Sequence, residues 1–142
     1  MRTTASVLPV AWSEHAYAAL RIVAGLLFMV HGLQKVLGLF GGHQMALSTM
    51  PGMAGIIETI AGALIVTGLF THIAAFVASG EMAVAYFTVH APQGGLPVQN
   101  GGEPAVLYCF LFLYIAARGA GRWSVDAFAT RAPIGRRVRN LV

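Results

Sequence analysis

One cysteine, Cys109, stands in the whole chain of 142 residues, and it lies inside an apolar run. A single thiol excludes an intrachain disulfide and a Cys-x-x-Cys pair, so dithiol chemistry is not carried by this chain. Charge is nearly as scarce: Asp, Glu, Lys and Arg together make up 10% of the residues. No charged side chain occurs between Lys35 and Glu58, between Glu58 and Glu81, or between Glu81 and Glu103. A soluble helical protein needs a charged outer face on each helix, and these stretches cannot supply one. His-x-x-His and Glu-x-x-His spacings are missing, so no metal site is expected. The pairs Gly94–Gly95 and Gly101–Gly102 lack the strand and helix context of a phosphate loop, which removes flavin and nucleotide sites.

What is present is apolar: 57% of the residues are hydrophobic, and the mean hydropathy is +0.72. The gaps between charges are of membrane length. Spans are predicted over about 16–40, 54–70, 73–89 and 104–123, broken by Gly41 and Gly42, by the connector His43 to Met53 with Pro51 and Gly52, by Thr71 and His72, and by the Pro- and Gly-rich stretch His90 to Glu103. Short connectors favour antiparallel neighbours, giving an all-α, up-down-up-down bundle of four transmembrane helices. Residues 1–15 read as a retained cytoplasmic lead, 16–123 as the membrane domain and 124–142 as a basic cytoplasmic tail. Lys and Arg are absent from the two longer connectors, whereas Arg2 and the arginines from Arg118 to Arg139 lie on the other side. Both termini are therefore expected in the cytoplasm, with the chain a multi-pass protein of the cell (inner) membrane. The net charge of +4 sits mostly in that tail and reads as an anchor to anionic lipid, with no nucleic-acid partner.

Four charged residues interrupt the spans, and each costs about 2.5 to 3.5 kcal/mol at mid-bilayer, so they need partners, water or a task. Lys35 and Glu58 each lie about 6 to 8 Å from the outer ends of their helices at 1.5 Å per residue, which predicts an ion pair between them. Arg21 and Glu81 form a second expected pair, a candidate proton site, across a gap that an arginine side chain can close. His31, Gln34, Lys35 and Glu58 together make a candidate head-group site in the outer leaflet, where a quinone needs a greasy slot with a few hydrogen-bonding groups. No covalently bound cofactor and no haem are expected, because His72, His90 and His31 fall at different depths. Small residues Gly25, Gly32, Gly62, Ala74, Ala78 and Gly80, and the Gly38 to Gly42 GxxxG, are expected at helix contacts.

The first helix carries Arg21, Gly25 and the run His31, Gly32, Leu33, Gln34, Lys35. The second carries Ile57 to Gly62 followed by Gly68, Leu69, Phe70 and Thr71, and the third has the step Glu81, Met82, Ala83. Asn100, Gly101, Gly102, Glu103 precede the fourth, and Gly119, Ala120, Gly121, Arg122, Trp123, Ser124, Val125, Asp126 follow it. In this order the segments resemble the "HGLQK", "IE..GG....G..T", "NGGE" and "GAG.WS.D" patterns of the DoxX family of small four-helix membrane proteins. The resemblance runs from about Arg21 to Asp126, with Asn100 and Glu103 forming the family-motif loop. It implies a redox-associated membrane subunit, one that interacts with quinone and works beside a soluble or membrane oxidoreductase. The alternatives are a non-catalytic scaffold anchoring such a partner through the basic tail, and a small-solute or proton transporter. The transporter reading draws on Glu81 but lacks broken helices and inverted repeats.

Overall fold

The computed structural model describes residues 10–131, and among them the chain is all-helical with no strand. Helix α1 (Val10–Leu37) runs for 28 residues without an internal Gly–Pro break. It is already helical at Val10, the first described residue, six residues before the expected start. It ends where Gly38 takes a φ of +68°. Helix α2 (Met50–Thr67) also starts early, since the Thr49 hydroxyl accepts from the Gly52 amide at 3.3 Å and Pro51 suits the first turn. Gly68, at φ +69°, closes it, its backbone N–H donating a hydrogen bond to the Leu64 carbonyl.

Helix α3 (Thr71–Ala85) continues through a π turn over Tyr86–His90 and a 3-10 turn over Ala91–Gln93. A short α4 (Pro97–Asn100) leads to α5 (Glu103–Arg118), and α6 (Val125–Arg131) ends the described chain. Among the described residues three segments are long and apolar enough to cross a membrane: Ala11–Leu37, Met50–Thr67 and Thr71–Gln93. Helix α5 has 16 residues, about 24 Å against a hydrocarbon core of about 30 Å. It does not extend to residue 123 as expected, because Gly119 and Gly121 take φ +85° and +63° and turn the chain back.

Helix α1 packs along α2, α2 along α3, and α3 along α5. Aromatic rings complete the contact of α5 with α1: Phe28 meets Phe112 at 4.7 Å between centroids, and Tyr17 meets Tyr114 edge-on at 5.8 Å. Phe28, Phe112, Ile65, Ile115, Ala75 and Ala78 are fully buried between the helices, while Val23, Ile60, Ile73, Phe76, Leu107 and Phe110 stand exposed on their outer faces. An outer surface this apolar fits a lipid solvent.

The α1–α2 contact depends on absent side chains. A Cβ on Gly62 would fall 2.7 Å from the Met29 amide nitrogen and 2.8 Å from the Gly25 carbonyl oxygen. One on Gly32 would fall 2.5 Å from the Thr59 amide nitrogen. The expected small-residue contacts at Gly25, Gly32, Gly62, Ala74 and Ala78 are present, and Gly55 joins them opposite Lys35 and Val36. Gly80 has open space where its Cβ would be, and Gly42 packs on Gln34 rather than on another helix.

Arg21 organises one end of the molecule. It is fully buried, and its guanidinium donates to the carbonyls of Ile65, Val66 (2.8 Å), Arg122 (3.4 Å) and Trp123 (2.7 Å). Asp126 accepts from the Phe70 amide at 3.1 Å, from the Thr71 amide at 3.1 Å and from the Thr71 hydroxyl at 3.2 Å, capping α3. Phe70 and Trp123 carry positive φ values, 49° and 54°. Such backbone costs about 1 to 3 kcal/mol at each residue, and here it is held by charge-assisted hydrogen bonds. The folded body therefore runs past Trp123, with Ser124 buried, instead of ending in a tail at residue 124. Residues 1–9 of the expected lead 1–15, Arg2 among them, and the tail arginines Arg136, Arg137 and Arg139 lie outside the described residues, while 10–15 belong to α1.

Gly62→Ala is expected to destabilise the protein by about 1 to 3 kcal/mol, because the new methyl meets backbone that cannot move alone. Gly80→Ala, with open space and a better helix former, should be neutral or slightly stabilising. Thermal unfolding of both variants in one detergent checks the contrast, and equal midpoints would contradict the close approach.

Candidate functional site

Away from the Arg21 end, the four longer helices leave a cavity of about 700 Å³. Its walls are apolar, with Ile57 from α2, Met82 and Val84 from α3, Phe28 from α1 and Ala105 from α5. Into it project His31 and Lys35 of α1, Glu58 of α2, Glu81 of α3, His90 of the π turn and Tyr108 of α5. Antiparallel packing explains this convergence. Glu58 lies nine residues before the end of α2 and Glu81 ten after the start of α3, both about 14 to 15 Å from the turn that joins them.

The expected pair is present: Lys35 Nζ donates to Glu58 Oε1 at 2.7 Å. Glu58 is 2% exposed, whereas the Lys35 side chain is 32% exposed and reaches toward the open side. A buried ion pair demands that every remaining lone pair be filled. Glu58 Oε2 and Glu81 Oε2 are both buried and both lack a hydrogen-bond partner among the described residues. His31 lies near enough to act on Glu58 electrostatically, and Glu58 and Lys35 near enough to act on Glu81.

The second expected pair does not form. Arg21 spends its donors on backbone carbonyls at the α2 terminus and the 122–123 segment, and Glu81 sits about ten residues, some 15 Å, farther along α3 from that level. The correction is one of depth: α1 starts six residues earlier than expected, so Arg21 lies opposite the end of α2, and Glu81 belongs with Glu58. Gln34 also leaves the candidate set. Its Nε2 donates to the Phe40 carbonyl at 3.3 Å, and its Cβ meets Gly42, so it fastens the connector after α1.

The Asn100–Glu103 loop has a different task. Asn100 is buried, donates to the Gly94 carbonyl at 2.8 Å and accepts from the Gly102 amide at 2.9 Å. His90 Nδ1 donates to the Asn100 carbonyl at 3.1 Å, which ties the π turn to this loop. A Cβ on Gly102 would fall 2.7 Å from the Tyr86 ring, so the loop packs against the helix that carries the cavity wall. Glu103 begins α5, where its carboxylate faces the positive end of the helix dipole. It borders a separate apolar groove of about 480 Å³ between α1 and α5, not the polar cavity.

Sequence reasoning did not place Tyr108 or His90 in the site. Tyr108 was findable, since Ala105, Tyr108, Phe112 and Ile115 repeat at helical spacing and mark the inner face of α5. His90 was not, because the π turn that rotates it inward has no simple sequence signature. The cysteine stands at the α3–α5 contact, where the Ser79 hydroxyl donates to the Cys109 carbonyl at 2.8 Å.

The family model for DoxX matches residues 16–91 of the chain, the segment that carries Arg21, His31, Lys35, Glu58, Glu81 and His90. An uncharacterised protein of Haemophilus influenzae is 45% identical over 116 residues, covering 77% of this chain and 87% of that protein. No solved structure matches the chain.

Lys35→Met is expected to cost about 3 kcal/mol by stranding the Glu58 carboxylate, the low end for a broken buried pair because Lys35 keeps partial access to its surroundings. Lys35→Met combined with Glu58→Leu should recover most of that loss. A double-mutant cycle of unfolding free energies measures the coupling, and additive losses would contradict a pair that shares its desolvation.

Proposed function

The chain belongs to the DoxX family of membrane proteins, and from that premise we propose that it is a redox-associated membrane subunit that holds a quinone-type ring in the cavity beside Glu58 and Glu81. In this reading the protein crosses the cell membrane four times, with α5 as the fourth span and the Arg21 end toward the cytoplasm. The connectors at the other end carry no Lys or Arg, while Arg118, Arg122 and the basic tail follow the cytoplasmic side of α5. Helix α5 reaches the interface through the Gly119–Trp123 segment.

The observation that carries the proposal is the cavity itself. Its volume falls within the range of about 300 to 1,000 Å³ typical of small-molecule sites, and its few polar groups converge at one depth inside apolar walls. A polar cluster within a bilayer that is neither fully paired nor exposed to bulk water is a functional site by the cost of keeping it. The unfilled carboxylate oxygens and the greasy slot fit a ring with oxygen substituents and an alkyl tail. When bound, a quinone supplies exchange of two electrons and two protons. His31 and Lys35 present donors to the ring's edge, Glu58 and Glu81 accept or return protons, and Phe28, Ile57 and Met82 exclude water from the ring. Electrons pass to or from a partner protein, since one cysteine and no nucleotide motif leave this chain without a carrier of its own.

Two measurements test this. A fluorescent reporter fused to the C-terminus should fold and emit on the cytoplasmic face. In nanodiscs, a decyl-tailed benzoquinone, titrated in its oxidised and reduced forms, should bind saturably in at least one of them. Ala54→Trp, which fills the cavity, should abolish that binding while leaving the unfolding midpoint near that of the parent. Binding that survives the filled cavity, or none in either form, would overturn the assignment.

A further inference from the structure

Two acceptor oxygens, Glu58 Oε2 and Glu81 Oε2, are buried, unpartnered among the described residues and set in the wall of one cavity. A buried acceptor left empty costs about 1 to 3 kcal/mol, and more when it is charged, so each is a demand for a donor. Glu58 lies near enough to act on Glu81 electrostatically, yet neither Oε2 has a donor among the described residues, and two ionised carboxylates cannot fill each other because neither carries a proton. The charge count points the same way. Lys35 balances Glu58 through its bond at 2.7 Å, and no second Lys or Arg among the described residues lines the cavity to balance Glu81. The fully buried cation among the described residues, Arg21, is committed to carbonyls at the opposite end. Of the other polar groups lining the cavity, His90 is held by the Asn100 carbonyl, Lys35 by Glu58 and the Thr88 hydroxyl by the Val84 carbonyl, and His31 and Tyr108, which also line it, supply no bond to either empty oxygen.

We propose that the cavity selects a lipophilic ligand whose head group donates hydrogen bonds to Glu58 and Glu81, in preference to one whose head group only accepts them. For the quinone-type ring of the preceding section, on which this inference rests for its choice of ligand, that means the dihydroxy, reduced form is held more tightly than the oxidised form. At Glu58 and Glu81 the oxidised ring sets carbonyl oxygens against acceptor oxygens, a contact without a proton in it, and keeps only the donors on the His31 and Lys35 edge. The reduced ring brings two O–H groups, one for each empty acceptor. An ammonium head on an alkyl chain presents the same chemistry with a positive charge and would meet the same two groups, with the Phe28 and Tyr108 rings beside it. The side of the cavity away from Arg21 is where such a head would arrive, since close glycine packing and the Phe28–Phe112 contact seal the interior toward the Arg21 end.

The test uses the full chain in nanodiscs and three decyl-tailed probes: the benzoquinone, the hydroquinone kept reduced under anaerobic conditions, and decylammonium. Binding is read by competition against a radiolabelled probe. The hydroquinone should bind at least about tenfold more tightly than the benzoquinone, the ratio that one satisfied against one stranded hydrogen bond supplies. Glu81→Gln is the diagnostic variant. Glu81 has no hydrogen-bond partner to lose, so its unfolding midpoint should be unchanged. The amide of the glutamine now offers a donor, so the preference should shrink toward equality, chiefly by gain of benzoquinone binding. Benzoquinone binding as tight as hydroquinone in the parent protein would overturn the donor inference and leave the quinone assignment standing. Decylammonium binding without either ring would support the donor inference and overturn the quinone assignment. Binding of no probe, or a full preference retained in Glu81→Gln, would overturn the donor inference outright.

Discussion

Carbonyl oxygens from α2 and from the chain after α5 converge on the guanidinium of Arg21, and the rest of the molecule is arranged around that fact. In a solvent without hydrogen bonds, backbone groups at a helix end must find partners inside the protein. Arg21 supplies them from the middle of the longest helix. By binding α2 and the 122–123 segment at once, it brings the chain after the last long helix back against the first hairpin, and Asp126 then reaches the start of α3. The strained backbone at Phe70 and Trp123 is tolerable because each is adjacent to one of these charged contacts. Tyr17 reinforces the same end, its hydroxyl donating to the Gly119 carbonyl at 2.5 Å with the Arg118 guanidinium over its ring.

The two ends of the helical assembly obey different rules. At the Arg21 end the two guanidinium NH2 groups of Arg21 are taken up by backbone carbonyls and Asp126 caps a helix start, and helices touch through glycine and alanine. At the other end, the pair Lys35–Glu58 leaves carboxylate oxygens in excess, and the helices part around a cavity instead of closing. Glu81 Oε2 is buried there and makes no hydrogen bond among the described residues. The π turn, whose Val89 and His90 line the cavity, is tied through His90 to the loop Gly94–Gly102, which Asn100 locks. Rigidity near the site therefore comes from a loop whose hydrogen bonds are internal to it.

Much of this was legible without coordinates. The absence of charge over membrane-length stretches identifies a lipid solvent, and depth counting along antiparallel helices brings Lys35 opposite Glu58. The motif segments identify the DoxX family, to which the chain belongs. Helix ends were legible only within several residues, because Thr49 capping and the left-handed glycines at 38, 68 and 119 set the stops, and turn residues of the same type occur nearby.

The partners of Arg21 and the company of Glu81 were decided by the tertiary structure alone. A carbonyl acceptor has the same chemistry at every residue, so no pattern of side chains announces that four of them will gather around one arginine. Opposite charges at similar depth suggested a pair, yet Arg21 found stronger company in several dipoles at its own level, and Glu81 was left to face the cavity. Side-chain identity determined that this chain lives in a membrane and keeps charges there. Which of those charges hold the fold, and which face the cavity without a full set of partners, was determined by the way the helices register against one another.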